Sequence, residues 1–360
     1  MSDDVYRRLA RRLDEIPNGF AATTSGAELR LLEKLFTREE AELACVMRLS
    51  PEPAAQIGER GGVDGETAAR MLSEMRSNGL IRVAGGESGP GYSLMPFIVG
   101  VYEQQLGRMD EEMAVLFENW MTESEGGSNA DGGASVHRVI PVDESVPQDL
   151  DIFPYERASE LLERAGAWGV RNCICRVQQK LIGKGCDHTV ENCLVFAPKE
   201  GVFDGSGETR PITKYEARRI LAQAADEGLV HSTMNQRDQI FYICNCCTCC
   251  CGVMRGVAEF GVPTAVARSD FRAVVAEDRC TGCGACVRRC QFGALSKDGD
   301  LSVVDYARCV GCGVCVSACA VEALAMERRP EGEVERPPEN SGQWMDRKAK
   351  ERGISVDDVR

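Results

Sequence analysis

The sequence has 360 residues, 43% of them hydrophobic, and a net charge of −14. That is enough apolar content for two or three ordinary cores, and the acidic balance excludes a protein that holds nucleic acid through a general basic surface. Nineteen cysteines far exceed ordinary usage, and all but Cys45 fall between Cys173 and Cys319, so the thiols belong to modules. A secreted disulfide scaffold is not expected, because the opening "MSDDVYRRLARRLDEIPNGF" has no signal-like apolar run. No stretch approaches the ~18 apolar residues of a membrane span. The expected setting is a reducing cytoplasm without membrane insertion.

In chain order, Val5, Leu9 and Leu13 form one stripe of a short amphipathic helix. The segments "GAELRLLEKLF", "REEAELACVMRL", "EPAAQIGERGG" and "GETAARMLSEMRSNGL" each place apolar residues at helical spacing, with Gly79 as a stop. "IRVAGGESGPGYSLMPF" then reads as two strands around a Gly/Pro turn, and a longer helix is expected from Val99 to Glu123. Residues 1–125 are therefore expected to be a helical, winged-helix-like region. The helix that would read DNA carries Asp64, Glu66 and Glu74 against Arg70 and Arg76, and the wing offers Arg82 beside Glu87. Phosphate contact requires a basic face, so docking or dimerisation is the expected role and no nucleic-acid partner is expected.

"GGSNADGGAS", residues 126–135, has linker composition. Residues 136–267 read as a cysteine-rich α/β module. Its strands are "VHRVIPVDE", "WGVRNCIC" and a hairpin of "LVHSTMN" and "QIFYIC"; its helices are "YERASELLERAG" and "TKYEARRILAQAADEGL", the second opened by a Thr213/Glu216 capping box and closed by Gly228. Residues 328–360 are charged, Pro-rich and weakly periodic, and are expected to be a mostly disordered tail. The expected fold class is α+β multidomain.

Residues 280–290, "CTGCGACVRRC", and 309–319, "CVGCGVCVSAC", both have the spacing C-x2-C-x2-C-x3-C. Three thiolates of one tight loop can meet three corners of an iron–sulfur cube, while the fourth cysteine points to the other cube. This assigns Cys280, Cys283, Cys286 and Cys319 to one [4Fe-4S] cluster, and Cys309, Cys312, Cys315 and Cys290 to a second. Structural zinc normally takes two knuckles rather than two interleaved quartets. Residues 268–327 are thus expected to form a two-cluster domain, and the segment from about Phe271 to Met326 resembles the bacterial two-cluster ferredoxins. That family usually has Pro after the fourth cysteine, where this chain has Gln291 and Ala320.

Ten further cysteines lie in the central module: Cys173, Cys175, Cys186, Cys193, Cys244, Cys246, Cys247, Cys249, Cys250 and Cys251. Soft thiolates select zinc, Cu(I) or iron–sulfur clusters, and the adjacent motifs favour a third iron–sulfur cluster, with structural zinc and a redox-active dithiol as alternatives. The pairs Cys173/Cys175 and Cys244/Cys246 are expected to end strands with both thiols on one face, and Cys247 and Cys251 to share a face of the next helix. Spacing leaves open which four bind, and at least two of Cys247, Cys249, Cys250 and Cys251 are expected to be dispensable. His188 and His231 are expected to be surface or supporting groups, and His137 has no visible role.

The combination of "IPNGF", a winged-helix-like region, a C-x-C…C…C…CNCC-x-CC module and a ferredoxin end is similar to a larger group of 4Fe-4S binding proteins from anaerobic bacteria. The resemblance implies cytosolic electron transfer but supplies no partner. Independently of it, the helical N-terminal region is expected to dock a partner oxidoreductase, with the acidic charge steering it to a basic patch on that partner. No nucleotide motif or Ser/His/Asp arrangement points to catalysis by the chain alone. A redox-sensing winged-helix regulator and a reductase with an open-coordination central cluster are the rival expectations.

Overall fold

The computed structural model describes residues 4–86, 89–127, 133–146 and 153–359. Half of the expected linker, residues 128–132, lies outside the described residues. The chain forms two compact units: residues 1–133 with 345–360, and residues 134–344. Helix and strand are mixed, and among the described residues no helix is long and apolar enough to cross a membrane.

In the first unit, α1 (Val5–Asp14) buries the stripe Val5, Leu9 and Leu13. Four helices follow: α2 (Ala27–Leu35), α3 (Arg38–Ala44), α4 (Ala54–Gly61) and α5 (Gly65–Ser77). Local chemistry sets their starts. Thr37 and Glu40 form a reciprocal capping box on α3, and Asp64 accepts from the Glu66 and Thr67 N–H groups of α5. Strands β1 (Ile81–Gly86) and β2 (Gly89–Leu94) pair antiparallel, with Ile81 opposite Leu94. The single helix expected from Val99 to Glu123 is broken. Val99 has φ +58° and Gly100 is extended, so helical bonding cannot run through; α6 (Glu111–Glu123) starts afresh where Asp110 Oδ1 accepts from Met113 N at 2.8 Å.

The "IPNGF" segment places Ile16 and Phe20 in the core. The Phe20 ring lies 4.6 Å from Phe97 and 5.0 Å from Trp120, whose indole N–H donates to Ala21 O at 2.9 Å. The expected disordered tail is corrected here: residues Ser341–Arg352 form a helix. Past Met345 the chain is tied back to the first unit, where Arg352 donates to Asp14 O and Ile16 O at 2.8 and 2.9 Å and Leu49 N donates to Val359 O at 2.6 Å. Ala349, Val356 and Val359 are buried beside Leu49. The few apolar residues of this segment are too sparse to show a period, and their order comes from tertiary contacts.

The second unit is built on a seven-stranded sheet. In chain order its elements are β3 (His137–Ile140), α7 (Ala158–Glu163), β4 (Ala167–Asn172), α8 (Ile174–Leu181), β5 (Glu191–Ala197), β6 (Arg210–Ile212), α9 (Lys214–Asp226), β7 (Val230–Met234), β8 (Tyr242–Cys246), α10 (Gly252–Ala258) and β9 (Val266–Ala267). The sheet order is β6-β4-β5-β8-β7-β3-β9, antiparallel except where β3 meets β9. Leu161, Leu162, Ile220 and Leu221 of α7 and α9 pack with Val170, Leu194 and Ile243 of the sheet. The ferredoxin-like segment follows in the same unit: β10 (Phe271–Val275), α11 (Ala285–Arg289), the hairpin of β11 (Leu295–Asp298) and β12 (Leu301–Val304), and β13 (Leu324–Arg328), which pairs with β10.

Two local expectations for the central cysteines change. Cys173 does not end a strand: β4 stops at Asn172, and Cys173 caps α8, its carbonyl accepting the first helical bond from Val177. Cys175 therefore lies in the first turn of a helix. Cys247 and Cys251 do not share a helix face either, since residues 247–250 form a turn and Cys251 immediately precedes α10.

A buried charge cluster joins the sheet to β10 and β13. Arg138 and Asp270, each 1% exposed, lie 3.7 Å apart, and Arg328 reaches Asp270 at 3.5 Å and Glu156 at 3.7 Å. The Arg138 guanidinium also sits 5.0 Å from the Tyr155 ring centre. Burial, then the neighbouring Asp270, pushes the Glu156 carboxyl up to about 7. The folded state thus binds a proton that the unfolded state, near its ordinary value of 4.5, releases. Stability from this group is full below about pH 4.5 and falls as pH rises to about 7, by on the order of 3 kcal/mol. Glu156→Gln should flatten that slope, so thermal melting of the variant and parent chains should diverge between pH 5 and 7.5. Parallel curves would show that Glu156 does not titrate in this window.

Candidate metal centres

The two C-x2-C-x2-C loops are built alike. Gly282 and Gly311, at matching positions, have φ +63° and +76°, and an added Cβ would meet the carbonyl oxygens of Asp300 and Phe271 at 2.2 and 2.1 Å. Only glycine allows so close an approach. The fourth cysteines also match: Ala294 N donates to Cys290 Sγ at 3.3 Å, and Ala323 N to Cys319 Sγ at 3.2 Å. One cavity is lined by Cys290, Cys309, Cys312 and Cys315, drawing its fourth thiol from the other repeat. Cys286 and Cys319 pack in an apolar core that also holds Cys290, Cys309 and Cys315, and the Gly282 N–H, then Ser302, hold the Cys280 thiol below its ordinary value. Cys283 is exposed at the loop surface. Burial pushes the Cys312 thiol up to about 12, so without metal it stays protonated.

The central cysteines fall into two sets. The Sγ atoms of Cys186, Cys247, Cys249 and Cys250 all lie within 4.8 Å of one another, the one such group among the described residues. Cys186 Sγ is 3.5 Å from Cys250 and 3.9 Å from Cys247. His188 joins them, its Nδ1 3.2 Å from Cys186 Sγ and 4.0 Å from Cys249 Sγ. Hydrogen bonds from Cys249 and Cys250, then Arg176, hold the Cys247 thiol far below its ordinary value.

The other six thiols form a longer series. Pairwise interactions link Cys193 to Cys244, Cys244 to Cys246, Cys246 to Cys251, Cys251 to Cys175 and Cys175 to Cys173. They come from β5, β8, the start of α8 and the residue before α10, and β5 and β8 are neighbours in the sheet. Hydrogen bonds from Cys175 and Cys246 hold the Cys251 thiol well below its ordinary value.

Sequence reasoning missed two supporting side chains, Arg176 and His137, and left His231 between a surface and a supporting place. Arg176, 2% exposed, donates to Thr189 O, Asn192 Oδ1 and Asn245 O at 3.0, 2.9 and 2.8 Å and approaches Cys247 Sγ at 3.6 Å. Burial opposes its charge, but Cys173, Cys247 and Cys246 outweigh that and raise its pKa. Its Nε is buried with no hydrogen-bond partner among the described residues. His137 is buried with its Nε2 2.9 Å from Tyr242 Oη; burial pushes its imidazole down while Cys251 pulls the other way. His231 is buried and hydrogen bonds to Asn245 Oδ1 at 2.6 Å, so it supports the β7–β8 pair and is not at a surface. A buried arginine in "CICR" carries no sequence signal of its own, because only the fold puts it beside distant thiols.

Gln291, where ferredoxins usually have proline, accepts from Thr248 N in the dense cysteine turn at 2.8 Å, and its amide N–H donates to Gly228 O. Proline could make neither bond. Gln291→Leu keeps the volume but strands both groups, which should cost about 1–3 kcal/mol in thermal or denaturant unfolding. An unchanged midpoint would show that the bridge carries no stability.

Soft thiolates repeated on two matching loops, with glycines that bring backbone close to them, define residues 271–328 as an iron–sulfur binding region. A family model of the 4Fe-4S binding domain matches twice here, over residues 273–296 and 302–325. No curated protein matches the chain.

Proposed function

We propose that the protein passes single electrons along a series of iron–sulfur centres to or from a partner oxidoreductase. Cys280, Cys283, Cys286 and Cys319 hold one [4Fe-4S] cube, Cys309, Cys312, Cys315 and Cys290 hold a second, and central cysteines hold a third cluster. One observation carries this reading: Cys290 and Cys312 pack in the same apolar core as Cys244, Cys246 and Cys251, together with Phe292, Val310, Val139 and Val253. A dry, closely packed core suits charge transfer because little solvent must reorganise around it. The donor set fits the third cluster, since Arg176, whose charge is coupled to Cys173, Cys246 and Cys247, keeps a buried Nε with no hydrogen-bond partner among the described residues. When bound, the clusters supply the one-electron chemistry; the chain supplies thiolate ligands, a compensating cation and exclusion of water.

The winged-helix-like first unit serves as the docking module. Its α5 offers no basic face, with Arg70 paired to Glu74 at 3.5 Å. The net charge of −14 steers the protein to a basic patch on the partner. The test is anaerobic purification of the full chain, with about 12 irons and 12 sulfides expected for three cubes. A preparation that saturates near eight would remove the third cluster, and failure of the reduced protein to donate electrons to any acceptor would remove the electron-transfer role.

A further inference from the structure

We propose that the central module holds two metal centres: Cys186, Cys247, Cys249 and Cys250 bind a single zinc ion, while Cys173, Cys175, Cys193, Cys244, Cys246 and Cys251 frame the buried iron–sulfur cluster. The second half rests on the electron-transfer reading; the zinc site stands without it.

The argument is one of spacing. Four thiolates around one tetrahedral ion at about 2.3 Å sit roughly 3.8 Å from one another. The Cys186 contacts, 3.5 and 3.9 Å, bracket that value, and all four sulfurs lie within 4.8 Å. A cube spreads its ligands farther, because each thiolate projects outward from a separate iron. The chain contains its own standard for that wider spacing: the cysteines of the two ferredoxin-like loops, which lie within the matched 4Fe-4S binding domains, form no such compact group. The six remaining central thiols are likewise linked in series without forming a compact group. The quartet is therefore the central set whose sulfurs converge as the ligands of one ion would, while the six interact only in successive pairs.

Each set has two buried thiols, Cys247 and Cys250 in the quartet and Cys246 and Cys251 in the six, but the quartet also reaches the surface. Cys249 is exposed and Cys186 half-buried, with His188 against them, as suits a closed structural ion near the surface that needs no electron path. Cys246 and Cys251 are buried in the core shared with Cys290 and Cys312, and the charge of Arg176 is coupled to thiols of both sets, Cys247 of the quartet and Cys173 and Cys246 of the six. Zinc has no redox chemistry, so its role is to fix the turn of residues 247–250 and with it the positions of Cys246 and Cys251 on either side.

The test uses the full chain, purified anaerobically, with zinc, iron and sulfide counted and X-ray absorption recorded at the zinc edge. We expect about one zinc per chain, with four sulfur neighbours at about 2.3 Å. Cys249→Ser, at an exposed position, should lose the zinc and keep the iron, whereas Cys175→Ser should lose about four irons and keep the zinc. Zinc absent from the parent protein, a nitrogen neighbour displacing one sulfur, or loss of iron in Cys249→Ser would overturn the two-centre assignment. If zinc is bound but iron saturates near eight, the third cluster fails while the zinc site holds. Should Cys175→Ser not fold, the zinc-edge spectrum of the parent chain decides the quartet by itself.

Discussion

Replacing Arg176 with methionine is expected to strip the central module of its iron and to lower the melting temperature sharply. Methionine keeps much of the aliphatic packing but removes the donors that serve Thr189 O, Asn192 Oδ1 and Asn245 O, all close to the thiols. It also removes a cation coupled to Cys173, Cys246 and Cys247 together. Breaking a buried ionic contact by deleting one partner costs about 3–5 kcal/mol, because the other charge is left uncompensated. Arg176→Lys should fall between the two, since an ammonium restores the charge without the planar fork. Any central cluster that survives in the lysine variant should reduce at a lower potential if the weaker cation stabilises the added electron less. Melting curves, iron counts and redox titration of parent and variants check this. Full iron content with an unchanged potential in Arg176→Met would show that the arginine braces the backbone only.

The second large effect concerns Cys290. Its serine variant should lose the cube built on Cys309, Cys312 and Cys315, not the one on the loop that precedes it in sequence. The cavity lined by Cys290, Cys309, Cys312 and Cys315 motivates this, because the fourth thiol comes from the opposite repeat. Iron should fall by about four per chain, and the reduced protein should lose the spin coupling between neighbouring cubes. Cys319→Ser should give the mirror result, damaging the cluster of Cys280, Cys283 and Cys286. Adding Cys309→Ser to Cys290→Ser should cost no further iron, while adding Cys280→Ser should. The reverse pattern in the double variants would mean that each loop supplies all four of its own ligands.

How much of this was legible beforehand depended on how local the cause is. The ferredoxin-like cysteines could be read because their spacing is the ligand geometry of a tight loop, and the glycines that let backbone approach, Gly282 and Gly311, stand inside the motif. The α9 boundaries could be read because Thr213, whose Oγ1 accepts from Glu216 N, and Gly228 act within one turn of the ends they define, although the Glu216 carboxylate pairs with Arg210 and does not complete the expected capping box. The β7–β8 hairpin leading into the cysteine turn was legible from alternation and the residues between its strands.

What the sequence could not show lies in contacts between residues far apart in the chain. The ten central thiols look alike in one dimension, and only the sheet that puts β5 beside β8 brings Cys193 to Cys244, while the turn of residues 247–250 carries three neighbours of Cys246 away to Cys186. The C-terminal segment reads as disorder because its apolar residues follow no period, yet Ala349, Val356 and Val359 are buried, with Leu49 beside them. The helix expected through Val99 has sound local propensity, but the chain breaks at Val99 and Gly100 among residues packed into an aromatic core with Phe20 and Trp120. The sequence by itself determined which residues offer soft thiolate ligands, since thiolate softness and loop spacing are local properties. Only the tertiary structure decided which thiols lie together and which cation is coupled to them, because distance in space, burial and charge coupling are set by packing between segments.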